Sequence, residues 1–170
     1  MTIAPTGRRE SRNGTEYVVF HRRFAAPVED VWAAVTEPER LERWIGTWTG
    51  DPATGEVTFT MTAEGPDTPE ERYVVEECAP PRRLVVRFAD PSEGSGPDWV
   101  LELDLDDSEG FTTLAFAQAM PDAETASSVG PGWDYYLDRL VVAERGDDPG
   151  ELDYEQYAAD QSEYYRSAFS

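Results

Sequence analysis

The sequence predicts an α+β fold in which a meander of short antiparallel strands packs against one long helix near the C-terminus. Three observations predict it. An extended segment turns into two short helices between Phe24 and Trp44, period-2 segments recur from Val57 to Gln118, and a helical apolar stripe runs from Trp133 to Val141.

Residues 1–14 are polar, rich in Arg and Gly and without periodicity, and are expected to be a flexible arm. The first strand is expected over Glu16 to Phe24, with Val18, Phe20, Arg22 and Phe24 on one face and Tyr17, Val19, His21 and Arg23 on the other. Pro27 suits the first helical position, where its missing N–H has no intrahelical partner, and Glu29 and Asp30 favour the positive end of the helix dipole. Val28, Val31, Trp32 and Val35 at offsets 0, 3, 4 and 7 form one helical face. Thr36 and Glu39 have capping-box spacing, with Pro38 in the first turn of a second short helix that carries Leu41 and Trp44 inward. Val31, Trp32, Leu41 and Trp44 are therefore expected in the core.

After Trp48, Val57, Phe59 and Met61 alternate with Thr58, Thr60 and Thr62, and Tyr73 and Val75 alternate with Val74 and Glu76. Leu84, Val86 and Phe88 alternate with Val85 and Arg87, and the stretch from Asp90 to Pro97 reads as a long exposed hairpin loop. Trp99, Leu101, Leu103 and Leu105 give the cleanest half-buried strand, followed across a turn by Thr112, Leu114, Phe116 and Gln118. The long helix is expected to begin near Gly130-Pro131 and end at Gly146, Pro just inside its start and Gly just past its end. Its apolar face is Trp133, Tyr136, Leu137, Leu140 and Val141. Asp147-Asp148-Pro149-Gly150 breaks the chain. Beyond it Tyr154, Tyr157, Ala158, Gln161 and Tyr165 are at helical spacing, which fits either an extra helix docked through its tyrosines or a homodimer contact. The expected organisation is an arm over 1–14, one domain over 15–146 and a helical extension over 147–170.

Phe24-Ala25-Ala26-Pro27, Val31-Trp32, Pro38-Glu39-Arg40-Leu41 and Trp44, then Pro81-Arg82-Arg83-Leu84 before a strand and Gly132-Trp133 in the last long helix, carry a resemblance. In that order they resemble the START-like, helix-grip (Bet v 1-like) proteins of the SRPBCC superfamily, in particular the branch named for the activator of Hsp90 ATPase homologue 1. The resemblance covers residues 15 to 145. It implies a curved antiparallel sheet, of about six or seven strands when read together with the alternation, wrapped around the long helix with a cavity between them.

Composition narrows the chemistry. Lys plus Arg is 14 against 35 Asp plus Glu, a net charge of −21, and all the basic residues are Arg. So acidic a surface repels nucleic acid phosphates and anionic lipid headgroups, so neither nucleic acid nor membrane is an expected partner. The single Asn and two Ile fit a GC-rich coding source, and a high-salt habitat also favours an acidic surface. No run of about 18 apolar residues spans a bilayer and no apolar stretch marks a signal peptide, which places the chain in the cytoplasm. One His (His21), one Cys (Cys78) and no Lys exclude Schiff-base chemistry, a Walker-type phosphate loop, paired-Cys zinc sites and intramolecular disulfides. No metal, cofactor or catalytic residue is indicated. His21 reads as a surface residue. Cys78 lies among Glu76, Glu77 and Pro80, and carboxylates beside a thiol disfavour the thiolate.

The function implied by the resemblance is binding of an apolar or aromatic small molecule in the cavity. Expected lining residues are Phe59, Met61, Tyr73, Phe88, Trp99, Leu101, Phe116 and Gln118 from the sheet and Trp133, Tyr136, Leu137 and Leu140 from the helix, with Trp99, Phe116 and Trp133 at its border. Each also fits ordinary core packing. Gln118 is polar on an apolar face and must find a hydrogen-bond partner there. An inward Arg22 requires a carboxylate or carbonyl, either a structural ion pair or a ligand carboxylate. Two other functions are implied by the wider family: a polyketide cyclase or aromatase using the same cavity, for which no general base is evident, and a chaperone-associated protein, for which the additional N-terminal domain of Hsp90 activators has no room here.

Overall fold

Eight antiparallel strands form one sheet in the computed structural model of the chain, which describes residues 2–65, 67–89 and 99–170. The strands are β1 (Arg8–Arg12), β2 (Thr15–Phe24), β3 (Thr47–Thr49), β4 (Glu56–Thr60), β5 (Glu70–Ala79), β6 (Arg83–Phe88), β7 (Val100–Ser108) and β8 (Phe111–Ala119). Their order across the sheet is β1-β2-β8-β7-β6-β5-β4-β3. From β2 the chain crosses to the opposite edge through helices α1 (Val28–Thr36) and α2 (Pro38–Leu41), then returns by hairpins to β8 beside β2. Helix α3 (Ala123–Glu144) lies across the inner face and α4 (Tyr154–Ala168) packs against α3. This is the helix-grip α+β arrangement. No helix of the described residues is long and apolar enough to cross a membrane.

Register fixes which residues share the inner face. Val18 lies opposite Gln118, and Gln118 opposite Leu101; Phe20 opposite Phe116, and Phe116 opposite Leu103; Arg22 opposite Leu114, and Leu114 opposite Leu105. Further across, Leu101 lies opposite Val86, Phe88 opposite Tyr73, Tyr73 opposite Val57 and Phe59 opposite Glu71. Because directly opposed residues project the same way, all of these belong to one face. His21 is on the other face and is exposed; Cys78, beyond a bulge in β5, is exposed as well.

The N-terminal residues differ from the flexible arm expected. β1 pairs with β2 through Asn13-Gly14, both with positive φ (52° and 84°), the conformation a two-residue hairpin turn needs and Asn-Gly adopts readily. Ahead of β1, the Ile3 amide donates to Asp160 (2.8 Å) and the Gly7 amide to the Tyr165 hydroxyl (2.9 Å), which fastens the segment to α4. β1 also raises the strand count above the six or seven expected.

Helix α3 starts earlier than Gly130-Pro131. The Asp122 carboxylate accepts from the Thr125 amide (2.7 Å) and caps a turn that continues without a break through Pro131. An interior Pro costs a helix about 3 kcal/mol, which is why the sequence reads as a start there. What offsets that cost is tertiary: Gly130 and Pro131 are buried against α4, where the Tyr165 ring occupies the space a Cβ of residue 130 would need.

In the first helix pair Pro27 is the N-cap rather than the first helical residue, and its carbonyl accepts from the Asp30 and Val31 amides (3.1 and 3.2 Å). The capping box does not form: the Thr36 hydroxyl donates back to the Trp32 carbonyl (2.6 Å) and Glu37 is the cap of α2. Val31, Leu41 and Trp44 are buried, while Trp32 is half-buried at the core's edge. The Trp44 indole donates to the Ala34 carbonyl (3.0 Å), which ties the segment after α2 to α1, and the Trp48 indole of β3 donates to that of Thr36 (2.7 Å), which ties α1 to the sheet. The expected Asp90 to Pro97 hairpin loop lies outside the described residues.

Candidate functional site

Helix α3 uses its apolar stripe against one half of the sheet. Trp133 stacks on Phe116 of β8 with ring centroids 4.3 Å apart and its indole donates to the Gln118 side-chain carbonyl, while Leu137 and Leu140 are fully buried. The other half, the inner face of β4 to β6, is covered less. Phe59, Tyr73 and Phe88 are half-buried there, and so are Met61, Trp99, Leu101 and, on the helix side, Trp133. The expected site residues thus divide in two. Those seven are half-buried; Phe116, Gln118, Tyr136, Leu137, Leu140 and Arg22 are buried core.

Phe116 and Trp133, two of the three rings expected to border the cavity, pack on each other. Two surface clefts, about 350 and 370 Å³, lie elsewhere: one between the β2–α1 junction, Phe111 and Glu144, the other beside Arg43 and Pro149. What the concave face presents instead is two chains of aromatic rings. Phe59 meets Tyr73 edge-on (6.0 Å) and Tyr73 meets Phe88 (5.7 Å) along the sheet; Trp133 meets Tyr136 (6.2 Å) along the helix. Among the described residues no ring contact joins the two chains.

Two phenol–carboxylate pairs accompany the rings. The Tyr73 hydroxyl donates to Glu71 and the Tyr136 hydroxyl to Glu64, each at 3.1 Å, the second linking α3 to the turn that follows β4. Burial first, and the adjacent carboxylate second, push both phenols well above the ordinary tyrosine range. Burial does the same to Tyr157 and Tyr165 under α4, helped by Asp138 and Asp134. The sign of the linkage follows: a raised folded-state pKa contributes stability that is intact below the unfolded tyrosine value of about 10 and is lost as pH rises above it. Alkaline titration should show these tyrosines ionising together with the loss of far-ultraviolet circular dichroism. Phenolate absorbance reaching its full amplitude while the dichroism stays native would contradict the burial.

Arg22 does not reach the concave surface. Its guanidinium, 9% exposed, pairs with Asp134 (2.9 Å) and Asp138 (3.1 Å) of α3 and donates to the Thr6 hydroxyl (2.8 Å). Asp134, 1% exposed, also accepts from Thr6 and from the Tyr165 hydroxyl, and Asp138 from the Tyr157 hydroxyl (2.7 Å). Arg22 is the structural ion pair of the two readings open to it, and its role as an anchor for a ligand carboxylate falls. The hydrogen-bond partner that Gln118 requires is the Trp133 indole, which donates to its side-chain carbonyl. Sequence reasoning missed Asp134, Glu64 and Glu71. The first was within reach: an inward Arg demands a carboxylate, and Asp134 and Asp138 stand one turn apart on the helix that crosses it. Among the described residues no group of three or more His, Cys, Asp or Glu is placed to hold a metal, and Asp104 and Asp107 pair with Arg83 and Arg82.

The family model for activator of Hsp90 ATPase homolog 1-like protein matches residues 25–143. Among solved structures, that of CalU16 from Micromonospora echinospora is 25% identical, with a TM-score of 0.74 over 97% of this chain and 96% of that one. A conserved protein of unknown function, EF2215 from Enterococcus faecalis, is 22% identical with a TM-score of 0.70, over 98% and 92% of the two chains. DynU16, a putative protein in the dynemicin biosynthetic locus, is 24% identical with a TM-score of 0.57, over 78% of this chain and 49% of that one. No match was found among curated proteins.

Proposed function

Since the chain belongs to the family of activator of Hsp90 ATPase homolog 1-like proteins, whose model spans α1, strands β3 to β8 and most of α3, we propose that it binds an apolar or aromatic small molecule on the concave face between β4–β6 and α3. The observation that carries the reading is the set of half-buried rings, Phe59, Tyr73, Phe88 and Trp133, that point inward yet stay partly in contact with water. A ligand laid between the two ring chains would remove that apolar surface from water at about 25 cal/mol per Å². Ring edges and faces on both sides would set its plane. The Tyr73 hydroxyl would fix the ligand's orientation; that phenol holds its proton firmly, so it serves as a hydrogen-bond group and not as a proton-transfer acid.

Native mass spectrometry of freshly purified protein should show a co-purified small molecule. Independently, 9-anthracenemethanol followed by fluorescence anisotropy should bind the chain, and Phe59→Ala or Tyr73→Ala should weaken it about tenfold, equivalent to about 1.4 kcal/mol. Affinity unchanged in both variants, with native circular dichroism, would remove the concave face as the site.

A further inference from the structure

The chain sets 14 arginines among 35 carboxylates, and most of the arginines are taken. Nine form ion pairs among the described residues. Arg8 and Arg139 donate to carbonyl and phenol oxygens instead. Three remain: among the described residues, Arg23, Arg43 and Arg145 have neither an ion pair nor a side-chain hydrogen bond. Two of the three, Arg23 and Arg145, line the same surface cleft, the one of about 350 Å³ beside the β2–α1 junction. A single exposed Arg is solvated and needs no explanation. Two that escape so many acids and meet at one cleft call for one.

The Arg23 guanidinium carbon lies 3.8 Å from the centre of the Phe111 ring, which is itself 38% exposed. Stacking restrains the plane of the guanidinium and leaves its edge, where the N–H donors are, open. A carboxylate meets such an edge with two parallel hydrogen bonds. Much of the remaining lining is apolar, with Ala25, Ala26 and Val141 beside Phe111. Asp30 and Glu144 line the cleft too, and Arg40 bridges them at 2.9 and 2.7 Å. With Arg40 counted, three guanidiniums stand against two carboxylates, a charge of +1 on a chain that totals −21. One negative charge is compensated there. A second would meet Glu144, whose Oε1 is shielded from solvent and has no donor among the described residues. We propose that this cleft binds a small monocarboxylate with an apolar body, its carboxylate held by Arg23 and Arg145 and its hydrocarbon laid against Phe111 and Val141. The site is separate from the concave face, and neither reading depends on the other.

Backbone amide chemical shifts separate the cleft from the concave face: ligand-induced shifts at Ala26, Phe111, Val141 and Arg145 report the first, and shifts at Phe59, Tyr73 and Phe88 the second. Three probes with one ring system, 1-naphthaleneacetate, 1-naphthaleneethanol and 1-naphthyl phosphate, are titrated at low ionic strength near neutral pH. At the cleft amides the acetate should bind about fivefold tighter than the alcohol, a modest factor because the guanidiniums are exposed, and tighter than the phosphate. Arg23→Gln/Arg145→Gln should bring the acetate to the alcohol's affinity with an otherwise native amide spectrum. Arg72→Gln/Arg87→Gln makes the same change in net charge at two positions that do not line the cleft, and should keep the preference. Equal binding of acetate and alcohol, or tightest binding of the phosphate, would overturn the carboxylate selection. A preference lost equally in both double variants would overturn it too, by tracing it to the general surface field. Acetate-induced shifts confined to β4–β6 would remove the cleft as a site and leave the concave face standing, and shifts at neither place would remove the cleft as well.

Discussion

Asp134→Ala should lower the melting temperature by about 6–12 °C, from a loss of about 3 kcal/mol at roughly 2–4 °C per kcal/mol for a chain of this size. The effect is large because the carboxylate has four clients. Arg22 pairs with it at 2.9 Å, Thr6 donates to it from backbone and side chain, and the Tyr165 hydroxyl donates to it from α4. With Asp134 gone, a guanidinium that is 9% exposed keeps one carboxylate, Asp138, whose side chain is 36% exposed and whose charge is better solvated. The loss therefore falls at the lower end of the 3–5 kcal/mol range for breaking a buried pair. Replacing both members by apolar residues of similar size, Arg22→Met with Asp134→Leu, should recover much of that loss, because the penalty lies in the stranded charge more than in the absent attraction. Differential scanning calorimetry of the three variants decides it. An unchanged melting temperature in Asp134→Ala would mean that water already reaches the cluster.

Periodicity made most of the fold legible. The alternation of Leu101, Leu103 and Leu105 and of Leu114, Phe116 and Gln118 is the inner face as it stands, and Val28, Val31 and Val35 form the buried face of α1. Alternation tells which face a side chain takes but not what covers it. Tyr73 and Phe88 share a face with Phe116 and Leu103, yet the first pair is half-buried and the second buried, because α3 meets β2 and β8 and α1 meets β7 and β8, whereas neither helix packs comparably on β5 or β6. That difference separates a candidate site from core, and it depends on the path of a helix whose start the sequence concealed behind Gly130-Pro131. The arm was misread for a different reason. Asn13-Gly14 is a strong hairpin signal, but the strand before it, Arg-Arg-Glu-Ser-Arg, has no apolar alternation to announce itself as an edge strand. The polar half of the site was unreadable: Glu64 and Glu71 look like two more acids in a chain of 35, and only register and the long contact to Tyr136 single them out.

Gly130→Ala should destabilise the protein by about 2–3 kcal/mol, although in an exposed helix interior the same change would stabilise by about 1 kcal/mol. A Cβ at residue 130 would lie 2.3 to 2.6 Å from three atoms of the Tyr165 ring. The ring cannot swing aside. Its hydroxyl is fastened to Asp134 and accepts from the Gly7 amide (2.9 Å), it packs on Phe20 (6.2 Å), and it is fully buried. The added methyl must therefore move α4 as a body, and with it the N-terminal segment that Tyr165 and Asp160 hold. The sign should change when the obstacle is removed. In a Tyr165→Ala background, itself less stable, Gly130→Ala should cost nothing or stabilise slightly, so the double-mutant cycle should show a coupling of at least about 2 kcal/mol between residues 35 apart in sequence. Urea unfolding of the four proteins measures the cycle. Additive effects would mean that α4 does not sit on α3 through this contact, and the close approach of the two helices, with the uninterrupted run of α3 through Pro131, would lose its explanation.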